Sequence, residues 1–285
     1  MPFIKDRKTA VIGLILTAIL WSTGGLFIKM VNGHPIAISG ARAGIAALFM
    51  LFIVKFKFIP FTKNIVFGMI FYSITVIGFV TANKLTTSAN AVLLQYIAPV
   101  WVAIFAAIFL KDKLRRSDFV SIAFMLFGLR LFFLDELSTG MFLGNAIAVL
   151  TSFSFAGFFI VVKTIPDQNK IYPIIYGNIL SFLIGIPFFS SQLLLTPSIS
   201  ALLFLGIFQI GLAYVLYSKS MVYLKALDAV LIPVIEPLLN PVWVFLFIGE
   251  IPTVTTILGG FFVIASVLLR SLYQSSNKKD IKKVA

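Results

Sequence analysis

One carboxylate lies inside an apolar stretch that is long enough to cross a bilayer. In LDAVLIPVIEPLLNPVWVFLFIGE (227–250), Glu236 directly precedes Pro237, and Pro233 and Pro241 lie four residues to either side of that proline. Lipid offers no partner to a charge or to a carbonyl that a proline leaves unbonded, so this combination is costly at membrane depth. We therefore take this stretch as the candidate centre of function.

A helix through this stretch would place three side chains in one column. Positions three and four residues apart share a helix face, so Glu236, Asn240 and Trp243 would present a carboxylate, a carboxamide and an indole in one direction. Facing a cavity, Glu236 could bind a substrate ammonium or carry a coupling proton. In the alternative interpretation it is a structural carboxyl that bonds a neighbouring helix or the backbone near Pro237.

The prolines of this stretch predict a bend in the helix. Pro237 and Pro241 have no amide hydrogen, so the carbonyls of Pro233 and Pro237 lose their helical partners. Those carbonyls could ligate an ammonium, but a hinge is the interpretation that we favour. Pro99 predicts an equivalent hinge earlier in the chain.

The stretch has a copy earlier in the chain. With an offset of 138 residues, NAVLLQYIAPVWVAIFAAIFLKD (90–112) aligns with 228–250, so that Asp112 falls on Glu250. The position of the deep carboxylate holds Ala98 in the first copy, and only the second copy therefore carries the charge. We predict that the chain is an internal duplication.

Composition places the chain among integral membrane proteins. Its 285 residues are 60% hydrophobic and 12% charged, whereas soluble proteins carry about 25% charged residues. We assign the formal net charge of +13 to cytoplasmic loops rather than to nucleic-acid binding. The absence of cysteine excludes disulfides and cysteine–metal sites. The first apolar run has membrane length and no small-residue cleavage site after it, so we expect a retained helix and not a signal peptide.

The apolar runs predict an all-α membrane protein with ten transmembrane helices, because each run suits a hydrocarbon core of about 30 Å. The predicted spans are 10–30, 36–54, 64–83, 89–110, 117–134, 140–163, 172–193, 198–218, 226–248 and 253–272. Placing the N-terminus inside puts 19 of the 23 Lys and Arg on the inner side. Both termini are therefore predicted to be cytoplasmic.

The duplication and the span count together predict the architecture. Each copy holds five helices, and because five is odd, the second copy enters the membrane from the opposite side. Such inverted repeats are typical of secondary transporters, whose substrate site lies near the midplane between the halves. We expect the first repeat at 1–138, the second at 139–273 and a basic cytoplasmic tail at 274–285.

Several segments resemble a known family. TTSANAVLLQYIAPVWVAIFAAIFLKDKL (86–114) and 227–250 resemble the paired signature helices of the EamA family in the drug/metabolite transporter superfamily. ILWSTGGLFIKM (19–30) resembles its first helix, with Trp21 and Lys29 at the family-like spacing. The resemblance covers essentially the whole chain. It implies a ten-helix carrier with a central cavity lined mainly by helices 1, 3, 4, 6, 8 and 9, which moves amino acids or other small metabolites.

Unusual residues mark other parts of the chain. KDK stands at 111–113 where the family usually has Gly-Glu, and Arg130 adds a charge to helix 5 that the sequence does not explain. Arg42, inside the second span, is expected to snorkel or to pair internally, with an anion-binding role as the alternative. Gly40 and Gly44 beside it predict close helix contact, either within one chain or in a dimer.

Other helices supply further candidate residues for a substrate cavity. Amide and hydroxyl groups could hydrogen-bond a polar substrate, and aromatic rings could form walls for an apolar or amphipathic one; in the alternative interpretation these side chains join helices or pack. The candidates are Gln95, Tyr96 and Trp101 in helix 4, and Trp21, Asn83, Phe155 and Tyr214 in helices 1, 3, 6 and 8. Neither a metal nor a cofactor is expected, since one histidine cannot build a zinc site.

These observations predict a secondary active transporter in the cytoplasmic membrane, an exporter of a small organic metabolite such as an amino acid, working by alternating access. No Walker A sequence is present to couple ATP hydrolysis. An exporter of lipophilic cations is the alternative, and an intramembrane enzyme is a remote one, because acid clusters and metal motifs are missing from the sequence. The expected partners are a small-molecule substrate and membrane lipid but no nucleic acid, and the chain is expected to act as a monomer or homodimer.

Overall fold

Helices make up all the regular structure in the described part of the chain. A computed structural model describes residues 4–109, 116–134, 141–220, 223–224, 232–266 and 268–269. The motif at 111–113 and the predicted tail at 274–285 lie outside these residues.

Within the described residues there are thirteen α-helices, numbered in chain order. They are α1 (Arg7–Ser22), α2 (Gly24–Met30), α3 (Pro35–Ile53), α4 (Lys63–Leu85), α5 (Ser88–Gln95), α6 (Ala98–Phe109), α7 (Arg116–Leu134), α8 (Phe142–Lys163), α9 (Tyr172–Gly185), α10 (Thr196–Phe204), α11 (Ala213–Ser220), α12 (Ile235–Ile248) and α13 (Val254–Ser266). A π-helical segment, Leu205–Leu212, joins α10 to α11, and short 3₁₀ turns occupy Asp167–Asn169, Ile186–Phe188, Ser191–Leu194 and Ile232–Val234.

Five helical segments within the described residues are long and apolar enough to cross a membrane. They are Arg7–Met30, Pro35–Ile53, Lys63–Leu85, Phe142–Lys163 and Thr196–Ser220. Shorter apolar helices accompany them at Ser88–Val102, Ile122–Leu131, Tyr172–Phe188, Ile235–Ile248 and Val254–Ser266.

Helix starts follow the local sequence. Asp6 caps α1, because its carboxylate accepts a hydrogen bond from the backbone amide of Thr9, and this bond lowers the pKa of Asp6 below its ordinary value. Thr62 and Thr87 cap α4 and α5 in the same manner. Pro35 opens α3, where a missing amide hydrogen disrupts no helical bond.

Polar groups lie inside the helix assembly while large apolar side chains cover its outside. Leu48 and Phe67 are more than half exposed, as suits residues that face lipid. Ser73 and Ser181 are buried and their hydroxyl oxygens lie 2.7 Å apart, which links α4 to α9. Interhelical hydrogen bonds of this kind hold membrane helices together where apolar burial gives little driving force.

The predicted glycine contact forms within the chain, where α3 crosses α9. A Cβ atom on Gly40 would lie 2.6 Å from Gly185 Cα, and one on Gly44 would lie 2.5 Å from Phe182 Cδ2. The two backbones approach this closely only because neither Gly40 nor Gly185 has a side chain.

The helices around the candidate residues pack in a regular pattern. Helix α1 packs against α11 and α12, while α8 packs against α4, α5 and α6. Helix α3 packs against α9, and α5 packs against α12. Helix α12, which carries Glu236, therefore lies between α1 and α5.

Gly40→Leu should destabilise the protein by about 1–3 kcal/mol, since the new side chain has to push α9 away. Thermal unfolding of the purified protein in detergent measures the loss. Leu48→Phe adds bulk on the lipid-facing side of the same helix and should leave the unfolding midpoint nearly unchanged. Equal midpoints for the two variants would contradict the assigned contact.

Candidate functional site

Interrupted helices surround the predicted centre of function. Thr23 separates α1 from α2, and Tyr96 and Ile97 separate α5 from α6. The 3₁₀ turn Ile232–Val234 leads into α12. Interrupted helices free backbone groups in the membrane interior, and such groups are tolerated there only where protein or a cavity satisfies them.

Three of the four predicted hinge prolines lie at or just before the start of a helical segment. Pro99 is the second residue of α6, Pro233 lies in the 3₁₀ turn before α12, and Pro237 lies in the first turn of α12. Only Pro241 lies further inside α12. At a helix start a missing amide removes few helical bonds.

Tyr96 reaches across to the backbone that Pro237 leaves unbonded. A residue with an amide hydrogen at position 237 would donate to the carbonyl of Pro233, four residues earlier. Instead, the Tyr96 hydroxyl donates to that carbonyl, with an oxygen–oxygen distance of 2.6 Å. The Tyr96 hydroxyl, at the interruption between α5 and α6, therefore satisfies a backbone carbonyl at the start of α12.

Glu236 joins the same contact. Its Oε2 lies 3.0 Å from the Tyr96 hydroxyl oxygen. A hydroxyl has one hydrogen to donate. With that hydrogen on the carbonyl of Pro233, the contact to Glu236 is a hydrogen bond only when a protonated Glu236 is the donor. An ionised Glu236 instead competes with Pro233 for the hydrogen.

A buried amide network lies one turn along α12. Asn240 is fully buried; its Nδ2 donates to the carbonyl of Ser22 at 2.9 Å, and its Oδ1 lies 2.8 Å from Ser88 Oγ. Ser88 Oγ is also 2.8 Å from Asn83 Oδ1. Helix α2 can approach because Gly25 has no side chain; a Cβ there would lie 1.7 Å from Ser88 Oγ. The network thus joins α1, α4, α5 and α12.

Two of the three tryptophans in the predicted set each bond a serine. Trp243 Nε1 donates to Ser22 Oγ at 3.0 Å, which ties α12 to α1. Trp101 Nε1 donates to Ser152 Oγ at 3.0 Å, which ties α6 to α8. Both indoles therefore join helices in this structure.

An aromatic row runs from α1 to α8 through the interior. Ring centroids are 5.2 Å apart for Trp21 and Tyr214, 5.6 Å for Tyr214 and Tyr72, and 5.4 Å for Tyr72 and Phe158. Phe155 continues the row, with its ring parallel to that of Phe158 at 6.4 Å. The predicted residues Trp21, Tyr214 and Phe155 thus belong to one continuous aromatic surface.

A charged contact closes one end of this region. Lys29 Nζ lies 3.0 Å from Glu250 Oε2 and donates to the carbonyl of Thr86 at 2.9 Å. The other carboxylate oxygen of Glu250 accepts the backbone amide of Ser88 at 2.5 Å. Lys84 donates nearby to the carbonyl of Val31 at 2.6 Å. Four helix ends, those of α2, α4, α5 and α12, are fastened together here.

The structure unites part of the predicted set and separates the rest. Glu236 contacts Tyr96, and Asn240 connects to Asn83 through a serine. Gln95 is partly buried and makes no side-chain hydrogen bond to a described residue. Ser88 was missed by sequence reasoning, although its place as the first residue of a helix after a threonine cap is a recognisable signal.

A metal site is not indicated. No group of three or more His, Asp or Glu among the described residues is placed to hold a metal ion.

Tyr96→Phe should lower the free energy of unfolding by about 1–3 kcal/mol, because it leaves the carbonyl of Pro233 unbonded in the interior. Thermal unfolding in detergent measures this loss. Tyr172→Phe is the matched control, since Tyr172 is 5% exposed and its hydroxyl bonds no described residue. A Tyr96→Phe variant as stable as the Tyr172→Phe variant would show that the hydroxyl does not replace the missing amide.

Comparisons with known proteins agree with this architecture. A curated relative from Archaeoglobus fulgidus, described as an uncharacterized transporter, is 26% identical over 280 residues, covering 94% of this chain and 98% of its own length. A second uncharacterized transporter, from Clostridium kluyveri, is 26% identical over 316 residues, covering 98% of this chain and 97% of its own. A protein of known crystal structure superposes with a TM-score of 0.63 at 16% identity, covering 94% of this chain and 99% of that one, and this likeness shows the fold alone.

The model of the EamA-like transporter family matches two segments of the chain, residues 8–134 and 142–272. Together these segments span nearly all of the helical part, in agreement with the resemblance found in the sequence. The chain belongs to the EamA-like transporter family, within the drug/metabolite transporter superfamily.

Proposed function

We propose that the chain is a secondary active transporter that exports a small organic metabolite, an amino acid or a related solute, across the cytoplasmic membrane by alternating access. The observation that carries the proposal is the contact of Tyr96 with Pro233 and Glu236. It joins two interrupted helices from opposite halves of the chain at the most deeply placed carboxylate of the described residues. Substrate sites of transporters with repeated halves lie at such a junction.

Ten transmembrane helices in two inverted repeats, 1–138 and 139–273, form the architecture of this proposal. The shorter apolar helices overlap the five remaining predicted spans, which supports this architecture. The family model matches the two halves separately. Under the offset of 138 residues, Gly44 corresponds to Phe182, and these two residues touch. Two equivalent positions can contact each other only beside a twofold axis, so this contact supports a repeat related by such an axis.

Helix packing supports the same symmetry. Exchanging the two halves turns the packing of α1 on α11 into that of α8 on α4. It likewise turns the packing of α1 on α12 into that of α8 on α5 and α6. The pairs α3 with α9 and α5 with α12 are each converted into themselves.

The Tyr96 hydroxyl has one hydrogen for two possible acceptors, and this supports proton coupling through Glu236. When Glu236 is protonated, Tyr96 bonds the carbonyl of Pro233 and Glu236 bonds Tyr96. When Glu236 is ionised, the hydroxyl turns towards the carboxylate and the carbonyl of Pro233 loses its partner. The proton on Glu236 thereby controls which group of the second half accepts the hydrogen of Tyr96, and hence whether the carbonyl of Pro233 is bonded. A substrate ammonium that approaches Glu236 favours the ionised form.

Contacts that join the two halves of the chain at one end of the molecule support alternating access. Under the proposed topology, the contact of Lys29 with Glu250 lies on the outer side, and the network of Ser88 and Asn240 lies between it and Glu236. In this structure the outer side is thus bound across the two halves. Opening outwards requires these contacts to break while others form on the inner side.

A lipophilic cation is the second candidate substrate. The aromatic row from Trp21 to Phe155 adjoins the region of Glu236, since Tyr214 lies within electrostatic reach of that carboxylate. Aromatic faces together with one carboxylate recognise organic cations. Tetraphenylphosphonium is therefore the probe that separates this candidate from the first.

Single cysteines test the topology, and the chain has no native cysteine to interfere. In intact cells, Asn32→Cys should react with a membrane-impermeant maleimide, whereas Lys57→Cys should react only after the membrane is opened, since the charge distribution places these exposed residues on opposite sides. Mass spectrometry of the purified protein measures the labelling. The reverse pattern, or equal labelling in intact cells, would overturn the proposed orientation.

Glu236→Gln should abolish uphill transport and retain exchange, because glutamine can donate a hydrogen bond to Tyr96 but cannot release a proton. Liposomes that contain the purified chain are given a pH gradient and a labelled mixture of amino acids. The wild type and an Asp6→Asn control, which makes the same chemical change at an exposed site, should accumulate label; the Glu236→Gln variant should only exchange it. Full pH-driven accumulation by the variant would exclude coupling through Glu236. Accumulation of tetraphenylphosphonium instead of amino acids would favour the second candidate.

A further inference from the structure

A buried arginine lies in the interior of the helix assembly. Arg42, in α3, is 2% exposed. Its Nη1 donates to Gln209 Oε1 at 3.2 Å, and its Nη2 donates to the carbonyl of Val76 at 3.3 Å. These partners come from the π-helical segment and from α4. Of the two arrangements expected from the sequence, snorkelling and internal pairing, the side chain adopts the internal one.

The positive charge of Arg42 has no anionic partner among the described residues. Both acceptors are neutral, and the buried Nε bonds no residue in the part of the chain that the structure describes. The charged or titratable groups within reach are Tyr72 and Tyr214, which are uncharged at neutral pH. A buried guanidinium without a counter-charge is costly, and in membrane interiors such a residue usually marks a functional site.

The surroundings of Arg42 connect it to the region of Glu236. Tyr214 lies within electrostatic reach of both Arg42 and Glu236. Gln209 also faces the interruption in the first span, where a Cβ on Gly24 would lie 3.0 Å from Gln209 Nε2. The cation and the carboxylate are therefore both within electrostatic reach of the same tyrosine, close to interrupted helices.

The helix that carries Gln209 is itself irregular. Leu205–Leu212 is π-helical, and such segments are rare and often occur at functional sites. In this segment Gln209 accepts a hydrogen bond from Arg42. Because glutamine is neutral, this contact is not a salt bridge. The position thereby holds the guanidinium in place and leaves its charge available.

We propose that Arg42 binds a carboxylate, which enters between α3, α4 and the π-helical segment and bonds Nε together with a terminal nitrogen. The planar guanidinium matches the two oxygens of a carboxylate in this side-on arrangement. The inference rests on the proposed transport function in that the carboxylate belongs to the transported solute. Arg42 pairs with the carboxylate of an amino acid, which Glu236 cannot do because it is itself an acid. A lipophilic cation has no carboxylate for Arg42 to bind.

Acetate tests the site without any knowledge of the solute. The full chain in detergent is unfolded thermally in increasing sodium acetate, with sodium chloride at the same ionic strength as reference. A ligand that binds only the folded state stabilises it, so the wild type should show a saturable rise of about 2–4 °C. Arg42→Gln should remove the rise. Arg130→Gln, which removes an exposed arginine from another apolar helix, should keep it.

A further variant covers the case in which Arg42→Gln does not fold. Gln209→Glu places a carboxylate within contact distance of Nη1 of Arg42. The new side chain should form an internal salt bridge with Arg42, raise the midpoint of thermal unfolding and abolish the response to acetate. Absence of a response in the wild type, an equal response in Arg42→Gln, or a full response in Gln209→Glu would each overturn the proposal.

The test separates this site from the transport function. Acetate binding is measured without a gradient or a second compartment, so it can succeed where transport fails. Glu236→Gln should keep the acetate response of the wild type while losing uphill transport. Loss of the acetate response in that variant would show that the anion does not bind at Arg42 independently of Glu236.

Discussion

The arrangement of helices around Glu236 depends on a backbone amide hydrogen that Pro237 does not have. Pro237 cannot donate to the carbonyl of Pro233, and the Tyr96 hydroxyl donates in its place at 2.6 Å. In water this substitution would matter little, because solvent would satisfy the carbonyl. In a membrane interior the bond has to come from protein, so the second interrupted helix has to lie against the first. The same requirement keeps Glu236 beside Tyr96 and brings the two halves of the chain together at one point.

Polar contacts around this point are arranged by depth. Beside Glu236 lie tyrosines, one turn further lie neutral amides and hydroxyls, and at the helix ends lies the ion pair of Lys29 with Glu250. The groups become more strongly charged as the surroundings become more accessible: Lys29 and Glu250 are 21% and 20% exposed, whereas Asn240 is fully buried. Arg42 breaks this order, since it is a buried cation with neutral partners only. That exception distinguishes it from Asn83, Ser88 and Asn240, which are neutral and bond each other.

Much of the framework is predictable from the sequence, because lipid imposes simple rules on length and composition. The family and the multi-pass helical architecture follow from apolar runs and from the repeated segment, and the interruptions fall beside Pro99 and Pro233 as the missing amides require. Partner choice is harder to predict. Asn240 bonds Ser22 and Ser88 only because Gly25 lets the helices approach, and one sequence does not reveal which glycine faces which helix. Arg42 was expected to snorkel or pair, since nothing in the spacing of residues shows that Gln209 lies 3.2 Å away.

The contact between Gly44 and Phe182 has a consequence for motion. In a carrier built from two equivalent halves, the outward-open form arises when the halves exchange their conformations. A contact between non-equivalent positions, such as Lys29 with Glu250, then becomes a contact between their counterparts and is lost where it was. A contact between two equivalent positions is converted into the same contact by this exchange, so it is kept. Under the proposed inverted repeat and alternating access, the crossing of α3 and α9 at Gly44 is therefore the same in both end states, and the two halves move about this contact of a glycine with a phenylalanine ring.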